Sequence, residues 1–367
     1  MTEPFPLIEA AGPPRERGVQ IGRQAGERID RSVQIYERAL ERGGLEWSEV
    51  REIAARYLPR LEAFDAAITE EIRGIAEGAQ RPVEDIVALN ARTELLYDKT
   101  LRTVDPTPDG CTGAIALPAT TADGHMLHGQ NWDWMDSCKD SSIVARIERE
   151  DGARLLIFVE AGLVARAGMN SFGVAVTGNF LACPHKPADN AVPLPLIRRR
   201  IIESKNLGEA VKHVLRSPRS FACNLMISDA AGEAVDLETT PEEVFWEKPE
   251  GGLLVHANHF RTQAARARVI DTGLALSPDS IYRDSRVERR LRQSAGGIAR
   301  ADFEAAFRDT YGSPSAVLSS PEPDPDRDRE PSSTVATIIM DTSLGTMWVA
   351  PAPYAGEIAF TEYRLYD

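Results

Sequence analysis

The chain has 367 residues, of which 27% are charged and 43% are hydrophobic, a composition ordinary for a globular protein of one or two domains. Its formal net charge of −14 argues against nucleic acid as a partner, because that binding depends on Lys and Arg neutralising phosphate. Four scattered cysteines are too few for a disulfide framework, and no apolar run reaches the roughly 20 residues of a membrane helix. We therefore expect a cytoplasmic protein without a signal peptide or a membrane anchor.

The first hundred residues predict helices. Apolar residues recur at steps of three and four over 25–40 and again over 61–75, so that each segment carries one apolar stripe. Pro59 and Pro82 are expected to interrupt the helical segments, because proline ends or kinks a helix. A further helix is predicted over 83–97.

From Gly110 onward the apolar pattern shortens to strand length, with Gly, Asp and Asn turns between the runs. A helix pair at 194–216 and three later helices interrupt the strands. This order of helices and strands predicts an α+β fold in which helices cover sheets. The predicted strands include 142–147, 154–160, 173–177, 224–228, 253–257, 334–340 and 346–349, and the later helices are 263–274, 282–293 and 301–311.

The bond between Gly110 and Cys111 lies between a Pro-rich loop at 105–108 and an apolar run at 114–117. If this bond is cut, the freed α-amine lies within reach of its own sulfur. An α-amine titrates near ~8 and a thiol near ~8.5, so each can exchange a proton with the other at neutral pH. Such a residue would be a nucleophile that carries its own base. The alternative reading of Cys111 is a small buried core residue.

Cys111 is followed by Thr112-Gly113 and, about twenty residues later, by Asn131-Trp132-Asp133. This pattern resembles the penicillin acyltransferase family of self-cleaving N-terminal-nucleophile hydrolases. The resemblance implies a four-layer αββα sandwich with two stacked antiparallel sheets. It also implies that the chain is cut at Gly110-Cys111 into fragments 1–110 and 111–367, which remain associated in one globular domain. Gln130 departs from bile salt hydrolases, more distant relatives, which carry an arginine at this position.

Catalytic roles follow from the resemblance and stay expectations here. Asp133, which could instead cap a turn, is expected to hold the α-amine of Cys111. The side chain of Asn258 and the backbone N–H of Asn179 are expected to bind the oxyanion. Ser285 and Arg286 are expected to approach the active centre from the start of a helix, although such charged runs are usually solvated helix faces. Arg283, Arg289 and Arg290 are expected at the surface.

The substrate pocket is expected to be largely aromatic. We expect Trp132 and Trp134 to point to opposite faces of their strand, so that one is in the core and the other lines the pocket. Asn170 is most simply a hairpin residue, because Asn tolerates a positive φ, and it is also a candidate for substrate contact. The remaining pocket candidates are Phe172, Phe180 and Cys223.

Two histidine pairs, His125 with His128 and His256 with His259, raise the alternative of a metal site. In a strand, residues three apart point to opposite faces, so one metal ion could not easily bind both members of either pair. The chain also lacks a Cys-x-x-Cys motif and a His-Glu-x-x-His motif. We therefore expect no metal and no cofactor.

The resemblance implies an enzyme that cleaves or transfers an acyl group at a non-peptide C–N amide bond through a thioester on Cys111. The expected partners are a small-molecule amide or acyl-thioester substrate and the chain's own N-terminal fragment, and a homo-oligomer is compatible with the sequence. The motifs do not separate a hydrolase from an acyltransferase. Two alternatives stay open: a phospholipase-B-like lipid hydrolase of the same fold, and a non-catalytic binding protein that retains the fold.

Overall fold

The computed structural model describes residues 3–97, 110–184, 186–188, 190–321, 330–352 and 359–366. Its fourteen strands in these ranges form two sheets. The larger sheet has eight strands in the order β1-β4-β5-β6-β7-β8-β9-β10. These strands are β1 (Leu7–Gly12), β4 (Ser142–Arg149), β5 (Arg154–Glu160), β6 (Ala167–Asn170), β7 (Val174–Phe180), β8 (Cys223–Asp229), β9 (Glu233–Thr239) and β10 (Val244–Glu247).

The smaller sheet has six strands in the order β11-β2-β3-β12-β13-β14. All of its neighbouring strands are antiparallel, whereas the larger sheet contains one parallel pair, β1 with β4. The smaller sheet is therefore built as expected, and the larger one departs from a purely antiparallel sheet only at its edge. Its strands are β2 (Gly110–Ala116), β3 (Leu127–Met135), β11 (Leu253–His256), β12 (Ser332–Asp341), β13 (Thr346–Pro351) and β14 (Thr361–Arg364).

Helices cover the outer faces of both sheets. Eight of them precede or interrupt the larger sheet, and their apolar faces belong to the same core as its strands. Two later helices pack on the smaller sheet through a separate apolar cluster. The helices are α1 (Pro14–Gln24), α2 (Gly26–Glu41), α3 (Trp47–Phe64), α4 (Ala66–Gly78), α5 (Val83–Asn90), α6 (Arg92–Tyr97), α7 (Leu194–Ile202), α8 (Leu207–Arg216), α9 (Gln263–Arg268), α10 (Ser280–Arg292) and α11 (Arg300–Phe307).

Apolar side chains between the two sheets hold them together. Ile115 on β2 and Leu254 on β11 pack against Met226 on β8 and Ala234 on β9, all of them buried. Because burial of apolar surface is the main favourable term in folding, these contacts fix how the two sheets face each other. The result is the four-layer αββα arrangement that the sequence predicted.

The helix boundaries differ from the prediction at two places. Pro59 lies inside α3 and does not interrupt it. The break comes at Asp65 instead, whose side chain accepts a hydrogen bond from the N–H of Ile68 and caps the start of α4. The apolar stripe that we predicted over 61–75 therefore belongs to two helices that meet at this cap.

Further elements were missed or overextended. The strand β1 was not predicted, although it pairs along its whole length with β4. The helix predicted over 83–97 is divided into α5 and α6, and the helices predicted over 263–274 and 301–311 end already at Arg268 and Phe307. No helix among the described residues combines the length and the apolar character that crossing a bilayer requires.

Candidate active site

Cys111 is the second residue of β2 and is fully buried. Its backbone N–H donates a hydrogen bond of 2.7 Å to Oδ1 of Asn258. The guanidinium of Arg166, at the entry to β6, brings Nη2 to 3.5 Å from the Cys111 sulfur. A neighbouring cation of this kind favours the thiolate over the thiol. The Pro-rich loop at 105–108 lies outside the described residues.

Asp133 lies directly across from Gly110 in the pairing of β2 with β3. A Cβ atom added at Gly110 would lie 2.9 Å from Oδ2 of Asp133, too close for any side chain to fit without a shift. The other carboxylate oxygen, Oδ1, accepts a hydrogen bond of 2.6 Å from the hydroxyl of Thr334. The structure therefore holds a carboxylate beside the residue that precedes Cys111.

Asn258 connects three elements around the backbone of Cys111. Its Oδ1 accepts from the Cys111 N–H and, at 2.8 Å, from Nη2 of Arg283. Its Nδ2 donates at 3.0 Å to the carbonyl of Phe180, and its own N–H donates to the hydroxyl of Ser280. In the unbroken chain, the Asn258 side chain thus binds the nitrogen of Cys111 through Oδ1, and its Nδ2 is engaged by the last residue of β7.

The prediction that Arg283 lies at the surface is wrong. Its side chain is only 1% exposed, and Nη1 donates to the Cys111 carbonyl at 2.6 Å and to the Thr112 hydroxyl at 2.8 Å. Its Nε donates to Asp279, one turn earlier. The signal that could have found Arg283 is its helical spacing from the buried residues Val287 and Leu291 on the same face of α10.

The placement predicted for Ser285 and Arg286 is wrong. Ser285 is exposed and donates to the carbonyl of Tyr282. Arg286 forms an ion pair of 2.6 Å with Asp309, and its guanidinium lies over the ring of Tyr311. The resemblance to the family pointed to α10, which does approach Cys111, but Ser285 and Arg286 lie on a face of this helix that is turned away from Cys111.

Asn179 belongs to a buried chain of amides behind the site. Its Oδ1 accepts from Nε2 of Gln130 at 2.8 Å, and its Nδ2 donates to Oδ1 of Asn224 at 2.9 Å. The same Nδ2 also donates to the carbonyl of His256 at 3.2 Å. Gln130 therefore supports Asn179, and through it the strand end that carries Phe180.

His256 is a buried cation that ends this chain of polar groups. Its Nε2 donates to Glu238 at 2.9 Å, and its Nδ1 donates to the carbonyl of Ala257 at 2.8 Å. Burial opposes the charge, but Asp236 and Glu238 outweigh it and raise the pKa of His256 to about 9. Burial also raises the pKa of Asp236, to about 6. The imidazolium directly precedes Ala257-Asn258 and thereby fixes the segment that presents Asn258 to Cys111.

The same three side chains are the candidates for a metal site. Donor atoms of Asp236, Glu238 and His256 lie within 4.8 Å of one another. Nδ1 of His256 is engaged by the Ala257 carbonyl and Nε2 by Glu238, with Asp236 3.7 Å away, so the three side chains form a hydrogen-bonded ion triad. His128 hydrogen-bonds Ser228 and Thr177, and His125 pairs with Asp341. The ring of His259 lies 6.3 Å from that of His256, so the expectation of opposite faces is wrong for this pair, because β11 ends at His256.

The two tryptophans of β3 share one face of the strand, and the prediction of opposite faces is wrong. Residues two apart in a strand point the same way. Trp132 and Trp134 are both buried in the core between the sheets. Trp132 lies under the guanidinium of Arg166, at 3.9 Å from its ring centroid, whereas Trp134 donates to the hydroxyl of Tyr36.

Of the other pocket candidates, only Phe180 lines the pocket beside Cys111. Phe172 is 43% exposed, and Asn170 uses its side chain to bind the backbone at both ends of its hairpin and at the end of α7. Cys223 lies across from Phe180 in the sheet, with its sulfur 3.2 Å from the Thr239 hydroxyl. The predictions for Phe172 and Asn170 as substrate contacts are therefore wrong, and Cys223 lies behind the pocket wall.

The pocket itself is small and only partly open to solvent. The sequence did not single out the three arginines that line it, because lone arginines without a motif carry no pattern. Arg92 forms an ion pair of 2.6 Å with Glu160, and Arg166 reaches the Cys111 sulfur. The full lining is Arg92, Thr93, Arg166, Phe180, Leu194, Pro195, Arg198 and Phe221.

Comparison with known proteins identifies a family for this chain. Residues 120–352, well over half of the chain, match the model of the family described as acyl-coenzyme A:6-aminopenicillanic acid acyl-transferase. The chain belongs to this family. The matched range includes Asp133, Asn258 and Arg283, and it begins after Cys111.

Among curated proteins, the chain is similar to the acyl-coenzyme A:6-aminopenicillanic-acid-acyltransferase 40 kDa form of Emericella nidulans. The two are 32% identical over 224 residues, which is 60% of this chain and 59% of that protein. Among solved structures, two variants of conjugated bile acid hydrolase from Clostridium perfringens share the fold. They have TM-scores of 0.51 and 0.50, with 16% and 14% identity, and each match covers 69% of this chain and 92% of that one.

The raised pKa of His256 makes a prediction about stability. Its contribution to the free energy of unfolding should be fully present below pH ~6.5, the ordinary histidine value, and should be lost as the pH rises through about 9. Denaturant unfolding of the wild type and of His256→Gln should therefore give curves that differ most near pH 6.5. By pH 10 the difference should shrink by up to about 3 kcal/mol. A difference that stays constant with pH would contradict the charged state of His256.

Proposed function

We propose that the chain is a self-processing amidohydrolase or acyltransferase whose nucleophile is Cys111. The observation that carries the proposal is the set of polar contacts around Cys111. Its nitrogen is bound by Asn258, its carbonyl by Arg283 and its sulfur by Arg166. Any buried residue needs partners for its backbone N–H and C=O, but a guanidinium at the sulfur is not needed for packing. Together with the membership in an acyl-transferase family, this contact supports a chemical role for Cys111.

Self-cleavage of the bond between Gly110 and Cys111 would convert the backbone nitrogen into an α-amine. Oδ1 of Asn258 already accepts from that nitrogen at 2.7 Å, and the Asp133 carboxylate lies against Gly110. Both oxygens can hold a newly formed amine near the sulfur. The amine then serves as general base, because only its neutral form accepts the thiol proton.

The cut would leave two chains in one domain. Fragment 1–110 contains β1, which pairs with β4 of the second fragment over six residues, and helices whose apolar residues belong to the shared core. Separating these fragments would expose that core to water, so we propose that they remain associated.

Acyl transfer follows from the same groups. The Cys111 thiolate attacks the carbonyl carbon of an amide or thioester, and the α-amine takes the thiol proton and delivers it to the leaving group. The new thioester on Cys111 is then resolved by water or by an amine. We propose that Asn258 Nδ2 and the backbone N–H of Asn179 stabilise the oxyanion once substrate competes for them, a contribution of about 3 kcal/mol per donor in comparable hydrolases.

Self-cleavage is tested by intact-mass analysis of the purified protein. The wild type should give two chains, the larger beginning at Cys111. Cys111→Ala should remain a single inactive chain that melts near the wild-type temperature, because only a small side chain is removed. Cys183→Ala, a change at a partly exposed cysteine away from the site, is the matched control and should be cleaved like the wild type. A wild type that is active as one uncut chain would refute the proposal.

The assignment of Arg283 as a positioning residue is tested against Arg286 on the same helix. Arg283→Met should lower the rate of self-cleavage and kcat by about 10² or more, because the Cys111 carbonyl and the Asn258 side chain that binds the Cys111 nitrogen both lose this donor. KM should change little, and Arg283→Lys should restore part of kcat. Arg286→Met should stay within about threefold of the wild type, since Arg286 binds only Asp309 and Tyr311. Equal losses in both Met variants would show a merely structural role for the helix.

A further inference from the structure

The lining of the pocket beside Cys111 is of two chemical kinds. It includes the cationic residues Arg92, Arg166 and Arg198 and the apolar residues Phe180, Leu194 and Phe221. Three cations around one small pocket are unusual, because each loses hydration when it is buried. Each of these buried charges therefore requires a counter-charge or hydrogen-bond partners.

The pocket reaches the reacting atoms at two points. Arg166 lines it and approaches the Cys111 sulfur to 3.5 Å. Phe180 also lines it, and its carbonyl accepts from the Asn258 side chain that binds the Cys111 nitrogen. A molecule in this pocket is thus within reach of the proposed nucleophile.

Two of the charges can be accounted for within or beside the protein. Arg92 is neutralised by Glu160, at 2.6 Å, in a buried ion pair that also includes the hydroxyl of Tyr36. Arg166 lies over the ring of Trp132 and against the sulfur of Cys111, which becomes an anion when the thiolate forms.

Arg198 differs from these two arginines in its lack of a neutralising partner among the described residues. It is 5% exposed, its Nη2 donates only to the carbonyl of Gly178 at 3.3 Å, and its Nε is buried without a hydrogen-bond partner. In the part of the chain that the structure describes, no carboxylate forms an ion pair with it. Burial and the neighbouring charge of Arg166 lower its pKa to about 10, so it remains a cation at neutral pH.

The carboxyl group of Glu94 does not neutralise Arg198. One of its oxygens accepts from the N–H of Leu194 and the hydroxyl of Ser220. Burial raises its pKa to about 7, which weakens it as a source of negative charge. Among the described residues, the pocket lining is therefore left with excess positive charge.

We infer that Arg198 binds an anionic group of the substrate, so that the amide cleaved at Cys111 carries a carboxylate next to an apolar group, as N-acylated amino acids do. A buried cation without a partner is costly, and a ligand carboxylate satisfies it with strong, charge-assisted hydrogen bonds. The planar guanidinium suits a carboxylate better than an ammonium does. The inference rests on the proposed function, whose substrate class it specifies.

The test uses two amides that differ only in charge, phenylacetylglycine and phenylacetylglycinamide. The wild type should turn over the acid with a kcat/KM at least about tenfold above that of the carboxamide. Arg198→Met should remove this preference while changing the rate with the carboxamide by less than about threefold. Arg198→Lys keeps the charge but lacks the two parallel N–H donors of the guanidinium, so it should give an intermediate preference for the acid over the carboxamide. Arg200→Met is the matched control, because Arg200 lies on the same helix and pairs with Asp65; it should keep the wild-type preference.

Binding is measured separately from turnover, by calorimetry with 4-phenylbutyrate and with the neutral 4-phenylbutanol. The wild type should bind the carboxylate at least about tenfold more tightly than the alcohol, and Arg198→Met should bind both equally. This comparison also stands if neither amide is cleaved, an outcome that would refute the proposed function and leave the anion site intact. An unchanged preference in Arg198→Met, or a wild type that does not discriminate by charge, would overturn the inference.

Folding of the variant provides a further readout. Because Arg198→Met replaces a buried, unpaired charge by an apolar side chain of similar length, the variant should melt at or above the wild-type temperature. A variant that melts far below the wild type would show that Arg198 serves the fold, and would contradict the inference. Should Met not be tolerated, Arg198→Gln tests the same charge with a shape that can still bind Gly178.

Discussion

The contact between Oδ1 of Asn258 and the backbone nitrogen of Cys111 is the interaction on which the site depends. It connects β11 to the first residues of β2, and the same oxygen also accepts from Arg283 on α10. Strand pairing aligns β2 with β11 only as far as Gly113, opposite His256. Beyond that point, the side chains of Asn258 and Arg283 replace the ladder with β11 on this edge of β2. On its other edge, β2 stays paired with β3 through Cys111 and Gly110. Cys111 is thus held by backbone pairing on one side and by side chains on the other.

Buried charge is the cost of this arrangement. Arg283 and His256 are both buried, and each is matched by carboxylates and carbonyls of the protein. Replacing such buried pairs with apolar residues is often neutral or stabilising, so their presence is better explained by positioning than by stability. The triad of Asp236, Glu238 and His256 acts at a distance, because it orients the segment before Asn258. Arg198 is the exception among these groups, since its partner would come from outside the chain.

The resemblance to the family implied the sandwich and selected Cys111, Asp133 and Asn258 from short motifs, whereas the local apolar pattern predicted the strand that begins at Gly110. It did not predict Arg166, Arg198 or the role of Arg283, because the contacts of these residues join elements that lie far apart in the chain. Arg283 contacts a residue 172 positions away. The error at Trp132 and Trp134 had another origin, since the period of a strand already places residues two apart on the same face. Asn170 and Phe172 were misplaced because a hairpin turn satisfies the Asn side chain locally and leaves the ring in solvent.

Trapping the acyl group tests the central claim, that Cys111 becomes an N-terminal nucleophile, most directly. Protein incubated briefly with the phenylacetyl thioester of N-acetylcysteamine and quenched in acid can be digested and sequenced by mass spectrometry. We expect one phenylacetyl group on the peptide that begins with Cys111, attached to sulfur and released by hydroxylamine. An acyl group on any other side chain, or on Cys111 within an uncut chain, would contradict the account.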